Sequence, residues 1–250
     1  MKAIILSAGQ GRRLLPLTAD RPKCLLPISG QTVLVWQLRA LQRAGVDLAS
    51  IVIGFGAAQV EEQLARVSLA GMQTRTILNP IYDRTDNLVS CLAARAEMDE
   101  DFLLVNGDTL LEPGVIERLL ASEPAPVSVA VVRKASYDAD DMKVSGSAGR
   151  LTRIGKDLGS SEIDGEAIGV SLYRGEGPRV FLEALEEVQR EPDGHRRWYL
   201  SAVDRLARRG LVSATLVDGL GYAEIDYPDD VARAENLVAA WGDRFEKLRA

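Results

Sequence analysis

The chain has 250 residues, 46% of them hydrophobic, and a formal net charge of −6. An acidic chain repels polyanions, which argues against nucleic acid as a partner, and one histidine removes zinc sites built on several imidazoles. Two cysteines, Cys24 and Cys91, lack C-x-x-C spacing and are expected as reduced thiols of a cytoplasmic protein.

Met1-Lys2 precedes only four apolar residues before a glycine loop, too few for a signal peptide or a membrane span. Short apolar runs predict buried strands at 2–6, 50–53, 75–78 and 102–105. Between them, segments 32–44, 57–67 and 87–97 carry apolar residues at helical spacing; Leu34, Leu38 and Leu41 are the clearest set. Strand–helix alternation predicts an α/β fold with a doubly wound, mostly parallel sheet. From 127 to 173 the pattern changes to shorter β-like segments, at 127–132, 142–144, 150–154 and 168–173, which predicts a small β-rich insertion. Helices follow at 178–190 and 198–208, strands at 212–217 and 222–224, and a helix at about 229–241. Trp198 and Tyr199 open the second of those helices, where either is a candidate core residue. His195 sits in a polar turn after Pro192-Asp193-Gly194 and is expected in solvent rather than in a catalytic triad. No internal repeat, linker or low-complexity run divides the chain, so residues 1–250 are expected to form a single domain.

The segment after the first strand is the most informative. Leu6 is followed by a small-residue loop, Ser7-Ala8-Gly9-Gln10-Gly11, and then by Arg13, Thr18 and Pro22-Lys23. Glycines let backbone N–H groups approach an anion, and successive N–H groups form an anion-binding concavity. Residues 1–24 hold five cations (Lys2, Arg12, Arg13, Arg21 and Lys23) against Asp20 alone, a local charge of +4 in an acidic chain. A small anionic ligand such as a triphosphate fits that island. A P-loop is excluded because no lysine follows Gly11, and a dinucleotide fingerprint is weakened because Leu14 stands where a third glycine belongs.

The run Gly9-Gln10-Gly11-Arg12-Arg13-Leu14-Leu15-Pro16-Leu17-Thr18, with Pro22-Lys23, resembles the signature of nucleotidyltransferases that join an NTP to a phosphorylated small molecule. Its general form is G-x-G-x-R-[LM]-x-P-L-T-x-x-x-P-K, and every fixed position matches. The resemblance implies a Rossmann-like fold, with a nucleotide-binding half at about 1–125 and an acceptor-binding half at about 126–250. It implies that Leu6, Ala8, Gly9 and Gly11 lie against the nucleotide, and that Arg13 and Lys23 neutralise charge on the triphosphate. Asp108, in the Val105-Asn106-Gly107-Asp108 turn that ends the apolar strand FLLVNGD, matches the aspartate that binds catalytic Mg²⁺ in that family, and an acidic residue at a strand's carboxyl end suits a hard cation. Tyr222-Ala223-Glu224-Ile225-Asp226 resembles the late E-I-D segment whose aspartate supplies the second carboxylate; Asp226 is otherwise a helix cap.

Thr85-Asp86-Asn87-Leu88-Val89-Ser90-Cys91-Leu92 is similar to the N-x-x-S-L stretch of phosphocholine and inositol-phosphate cytidylyltransferases. That similarity places Asn87 and Ser90 near the nucleotide and favours CTP. For the acceptor, Lys156 after a β-run matches a phosphate-holding lysine, with Lys143 as its alternative; Glu166 and Trp198 are further contacts. Phosphocholine, aminoethylphosphonate, inositol phosphate and a sugar-1-phosphate all remain compatible acceptors. The alternatives are a sugar-1-phosphate nucleotidylyltransferase using UTP, GTP or dTTP, and a non-catalytic regulatory subunit of the same fold. A homo-oligomer is compatible with all of them.

Overall fold

The computed structural model describes residues 1–241; the end of the expected acceptor-binding half, 242–250, lies outside the described residues. Strand β1 (Lys2–Ser7) alternates, sending Ile4 to one face of the sheet and Ala3 and Ile5 to the other. After the signature loop come a small hairpin, β2 (Pro27–Ile28) and β3 (Gln31–Thr32), and helix α1 (Val33–Arg43), whose Thr32 accepts a capping hydrogen bond from Val35 N–H. Then follow β4 (Leu48–Ile53), α2 (Ala57–Arg66), β5 (Gln73–Leu78), α3 (Asn87–Ala93), β6 (Phe102–Asn106), β7 (Thr109–Leu111) and α4 (Pro113–Leu120). The second half continues with β8 (Val127–Val132), β9 (Lys143–Ser147), β10 (Arg150–Gly155), β11 (Gly165–Tyr173), α5 (Gly177–Gln189), α6 (Leu200–Arg208), β12 (Val212–Leu216), β13 (Tyr222–Glu224) and α7 (Pro228–Ala240).

One nine-stranded sheet runs through both halves in the order β5-β4-β1-β6-β11-β8-β12-β10-β9. The doubly wound parallel part is β5-β4-β1-β6. Beyond it the sheet is mixed: β11 is antiparallel to both β6 and β8, and β10 to both β12 and β9. The expectation of a mostly parallel sheet is therefore corrected. The short links from β9 through β11 contain no crossover helix, and a parallel pair needs one. The β-rich segment is likewise part of the main sheet, with β8 and β11 in its interior.

Helices cover both faces. One face carries α3, α5 and α6 through Leu88, Phe181 and Val203; the other carries α1, α2 and α4 through Leu38, Val60 and Ile116. A third, smaller cluster joins Leu14 of the signature to Ile28, Trp36, Leu110, Ile225 and Val238. Trp36 anchors it by donating its indole N–H to the Ile28 carbonyl at 2.9 Å. This cluster ties the signature loop, β7 and α7 together. Among the described residues, no helix is long and apolar enough to cross a membrane.

Candidate active site

The site lies at the carboxyl ends of β1 and β6, neighbours in register from Lys2↔Phe102 to Leu6↔Asn106. Gly107 N–H donates to the Leu6 carbonyl at 3.0 Å, and a Cβ at Gly107 would come within 2.4 Å of that oxygen. Only glycine lets the two strand ends approach so closely. The next residue, Asp108, is thereby fixed beside the signature loop.

Asp226 arrives from far along the chain. Strand β13 pairs with β7 from Tyr222↔Leu111 to Glu224↔Thr109, and Ile225 N–H then donates to the Asp108 carbonyl at 3.1 Å. The Asp226 carboxylate does not cap α7. Asp230 takes that role, its Oδ2 accepting from Asp226 N–H at 2.8 Å and Tyr227 N–H at 2.7 Å.

Between the two aspartates stands Lys23. Its Nζ donates to Asp108 Oδ2 at 2.8 Å and to Asp226 Oδ1 at 2.6 Å. Burial disfavours the ammonium, but the two carboxylates outweigh it and hold the Lys23 pKa above its ordinary value. Burial also opposes the Asp108 charge, yet Lys23 keeps that carboxyl below the usual range. Gly11 makes room for the lysine: its φ is +76°, and a Cβ there would touch the Lys23 side-chain carbons at 3.0 Å. Thr18 steadies the turn by donating its hydroxyl to the Gly11 carbonyl at 2.8 Å. At Gly9 a Cβ would meet nothing within 4 Å, so that face of the loop is open. Leu6 and Ala8 are committed through their backbones, Leu6 to Gly107 and Ala8 to Phe55 N–H. Arg13 reaches Asp140 at 3.5 Å, the Tyr227 hydroxyl at 3.3 Å and Asp226 at 3.7 Å.

The other sequence-predicted residues fall into two groups. Glu166 lines a cavity of about 700 Å³ with Lys134, Asp140, Glu224, Asp226 and Tyr227. It is held there by Lys134 at 2.5 Å and by the Tyr222 hydroxyl, which donates at 3.1 Å. Burial raises the Glu166 pKa despite Lys134. Lys156 pairs with Asp140 at 3.2 Å and lies over the Trp198 ring, 4.5 Å from its centroid. Trp198 is 41% exposed and precedes α6, whereas Tyr199 is buried, so only the tyrosine is a core residue. Lys143, by contrast, is buried and donates its Nζ to the Lys156 carbonyl at 2.9 Å. Ser90 is also buried, accepting from the Asn79 side chain at 3.1 Å, and Asn87 accepts from Tyr199 N–H at 2.9 Å. His195 is exposed on a 3₁₀ turn, as expected.

Sequence reasoning missed Lys134, Asp140 and Tyr227 as members of the site, and gave Glu224 no role. Burial, and after it the carboxylates of Asp108, Glu166 and Asp226, push the Glu224 carboxyl up to about 8. Its signal was present: a glutamate two residues before the expected metal-binding aspartate.

A family model described as a MobA-like NTP transferase domain matches residues 3–206. The chain belongs to that family. Within it, a CMP-5'-(3-aminopropyl)phosphonate synthase of Streptomyces rubellomurinus is 32% identical over 242 residues, covering 94% of this chain and 38% of that protein. A bifunctional IPC transferase and DIPP synthase of Rubrobacter xylanophilus is 31% identical over 242 residues, covering 96% of this chain and 52% of that protein. The chain thus spans about half or less of the length of these curated relatives. The inositol-1-phosphate CTP transferase from T. maritima has the same fold, with a TM-score of 0.80 at 19% identity over 97% of this chain and 96% of that one. The NTP transferase resemblance read from the signature is borne out, and so is the Rossmann-like α/β class.

Proposed function

We propose that this NTP transferase domain moves CMP from CTP to a small acceptor carrying a phosphonate or phosphate, releasing pyrophosphate. The observation that carries the reading is the Lys23 ammonium shared by Asp108 and Asp226 at the mouth of the open glycine loop. A phosphonate or phosphate oxygen of the acceptor attacks the α-phosphorus of CTP, and the bond to the bridging oxygen of pyrophosphate breaks. The nucleophile is ionised at neutral pH, so no general base is required, and catalysis rests on position and charge. Backbone N–H groups of residues 9–11 cradle the triphosphate. Arg13 and Lys23 neutralise the charge that builds toward the leaving pyrophosphate.

The donor set fits Mg²⁺. Asp108 and Asp226 present hard carboxylate oxygens to one cation already, and Mg²⁺ commonly takes one or two carboxylates together with substrate phosphates. Among the described residues no group of three or more His, Cys, Asp or Glu is arranged to hold a metal, so substrate oxygens would complete the shell. When bound, the ion supplies Lewis-acid polarisation of the phosphoryl oxygens. With an ion held by Asp108 and Asp226, the Lys23 ammonium, which those carboxylates hold in this structure, would be available to phosphate. The cytidylyl choice is supported by the names of the relatives, which include CMP and CTP chemistry on a phosphonate and an inositol phosphate.

Pyrophosphate release, with four NTPs crossed against phosphocholine, aminoethylphosphonates, inositol-1-phosphate and hexose-1-phosphates in Mg²⁺, tests the proposal. CTP with a phosphonate or phospho-alcohol should react. Release only from UTP, GTP or dTTP with a hexose phosphate would overturn it in favour of the sugar branch.

A further inference from the structure

A second cavity, of about 760 Å³, adjoins the first across Lys156, which lines it while pairing with Asp140 on the other side. Its walls are the end of β10, one side of α6 along its length and the 3₁₀ turn Gly194–Arg196. Six cations line it: Arg153, Lys156, Arg196, Arg197, Arg205 and Arg208. The acidic residues in the same wall are Asp157, Glu191 and Asp204. Asp204 accepts from Arg153 Nε at 3.3 Å, Ile154 N–H at 2.7 Å and Arg208 Nε at 2.9 Å. Glu191 is paired with Arg205, and Asp157 lies 3.9 Å from Arg153. These pairings account for three arginines. Arg196 acts on Asp86 across the turn, and Arg197 takes part in no side-chain hydrogen bond or ion pair among the described residues.

Arg205 also reaches Glu187 at 3.5 Å and Lys156 is held by Asp140, so the guanidinium left over in this concave site is that of Arg197, with Arg196 beside it. Adjacent arginines of this kind, within a chain of net charge −6, are a binding feature for a planar anion, which arginine meets with paired N–H groups. The cavity wall is also tied to the start of α3, where the sequence resemblance places the nucleotide. The arginine turn is stitched to the start of α3 by Asp86 N–H to the His195 carbonyl at 3.0 Å and Tyr199 N–H to Asn87 Oδ1 at 2.9 Å. Trp198, 41% exposed, gives the cavity a flat apolar side beneath the Lys156 ammonium.

We infer that this cavity is a subsite for a carboxylate on the acceptor, carried at the end of the molecule away from the reacting phosphorus. The inference rests on the proposed cytidylyl transfer and deepens it: the acceptor is a phosphonate or phosphate bearing a second anion. Lys156, between the two cavities, faces both ends of such a molecule. Phosphocholine, whose end away from the phosphate is a quaternary ammonium, would meet the arginines unfavourably there.

Two probes isolate the carboxylate. 3-Aminopropylphosphonate and 2-amino-4-phosphonobutyrate differ only by a carboxylate on the amine-bearing carbon. Trp198 reports binding without CTP, because Trp36 and Trp241 are buried. The carboxylated probe should change the fluorescence saturably and bind roughly tenfold or more tightly than its partner. The double variant Arg196→Gln/Arg197→Gln should erase that preference while leaving the weaker probe's affinity unchanged, and Arg196→Lys/Arg197→Lys should restore part of it. Circular dichroism confirms that the variants fold. Equal affinity of the two probes for the wild-type protein overturns the inference, and so does equal weakening of both in the glutamine variant. Pyrophosphate release with CTP is read separately. If neither probe reacts while the fluorescence still separates them, the transfer reading fails and the anion subsite stands.

Discussion

Replacing Lys23 with methionine keeps the stem that packs on Gly11 and removes the charge shared by Asp108 and Asp226. The two lysine contacts, at 2.8 and 2.6 Å, set how close the carboxylate oxygens lie. Two like charges about 5 Å apart repel by about 3 kcal/mol at an effective dielectric of about 20. The aspartate side chains retain 30% and 34% of their exposure, so solvent and salt reduce this to about 1–2 kcal/mol. For a chain of this length that is a fall of about 2–8 °C in Tm. Millimolar MgCl₂ without nucleotide should recover the loss and stabilise Lys23→Met more than wild type, because in the wild-type protein the ion must first displace the ammonium. Pyrophosphate release should fall by about a thousandfold in the same variant. The assay is thermal unfolding by circular dichroism with and without MgCl₂, beside turnover with CTP. An unchanged Tm together with an identical Mg²⁺ response in both proteins would refute the competition between lysine and metal, and near-normal turnover would refute the role of Lys23.

Gly107→Ala places a Cβ 2.4 Å from the Leu6 carbonyl and 2.5 Å from Ser7 Oγ, so it should cost about 1–3 kcal/mol in denaturant unfolding and depress turnover by shifting Asp108. Asp230→Ala removes the acceptor for Asp226 and Tyr227 N–H; about 1 kcal/mol of stability should go, the Mg²⁺ concentration for half-maximal turnover should rise, and Asp230→Asn should restore most of both. If the metal requirement is the same in all three proteins, Asp230 does not position Asp226. Burial pushes the Cys24 thiol up to about 12 and the Cys91 thiol well above its ordinary value. With about one Cys24 in ten thousand ionised at pH 8, the native protein should resist a disulfide reagent that labels both cysteines after denaturation. Rapid labelling of the folded protein would contradict that burial.

The phosphate loop was legible because its information is local. Glycine at 9 and 11, proline at 16 and 22 and the cations between them fix the turn without help from the rest of the chain. The principal strands and amphipathic helices were legible for a similar reason, since periodicity reports which face is buried. The β7–β13 pair was harder to see. Residues 109–111 are too few to show a period, and their partners lie at 222–224. Only the folded sheet shows how that pair carries Asp226 to Asp108. Helix α4, opened by Pro113, also escaped the sequence reading. Lys134, Asp140 and Tyr227 were hidden for another reason: a charged or aromatic residue in a loop has no distinguishing local pattern, and its role depends on what the fold brings opposite it.

The two acceptor lysines show what strand register adds to residue type. On sequence Lys156 is the favoured phosphate-holding lysine and Lys143 its alternative, each beside a β-run with acidic neighbours. In the sheet, Lys143 pairs with Gly155 across the β9–β10 ladder. That position turns its ammonium inward to the carbonyl of Lys156, a contact that satisfies a buried charge and fixes the end of β10. Lys156 is the next residue past that paired end, where its side chain is carried out to Asp140 and the face of Trp198. One lysine therefore holds the strand end and the other is presented by it. The same division runs through the whole site. Gly107 holds Asp108, Asp230 holds Asp226, and Asn87 holds the backbone beside Trp198, so the groups free to meet substrate are those whose neighbours are already committed to structure.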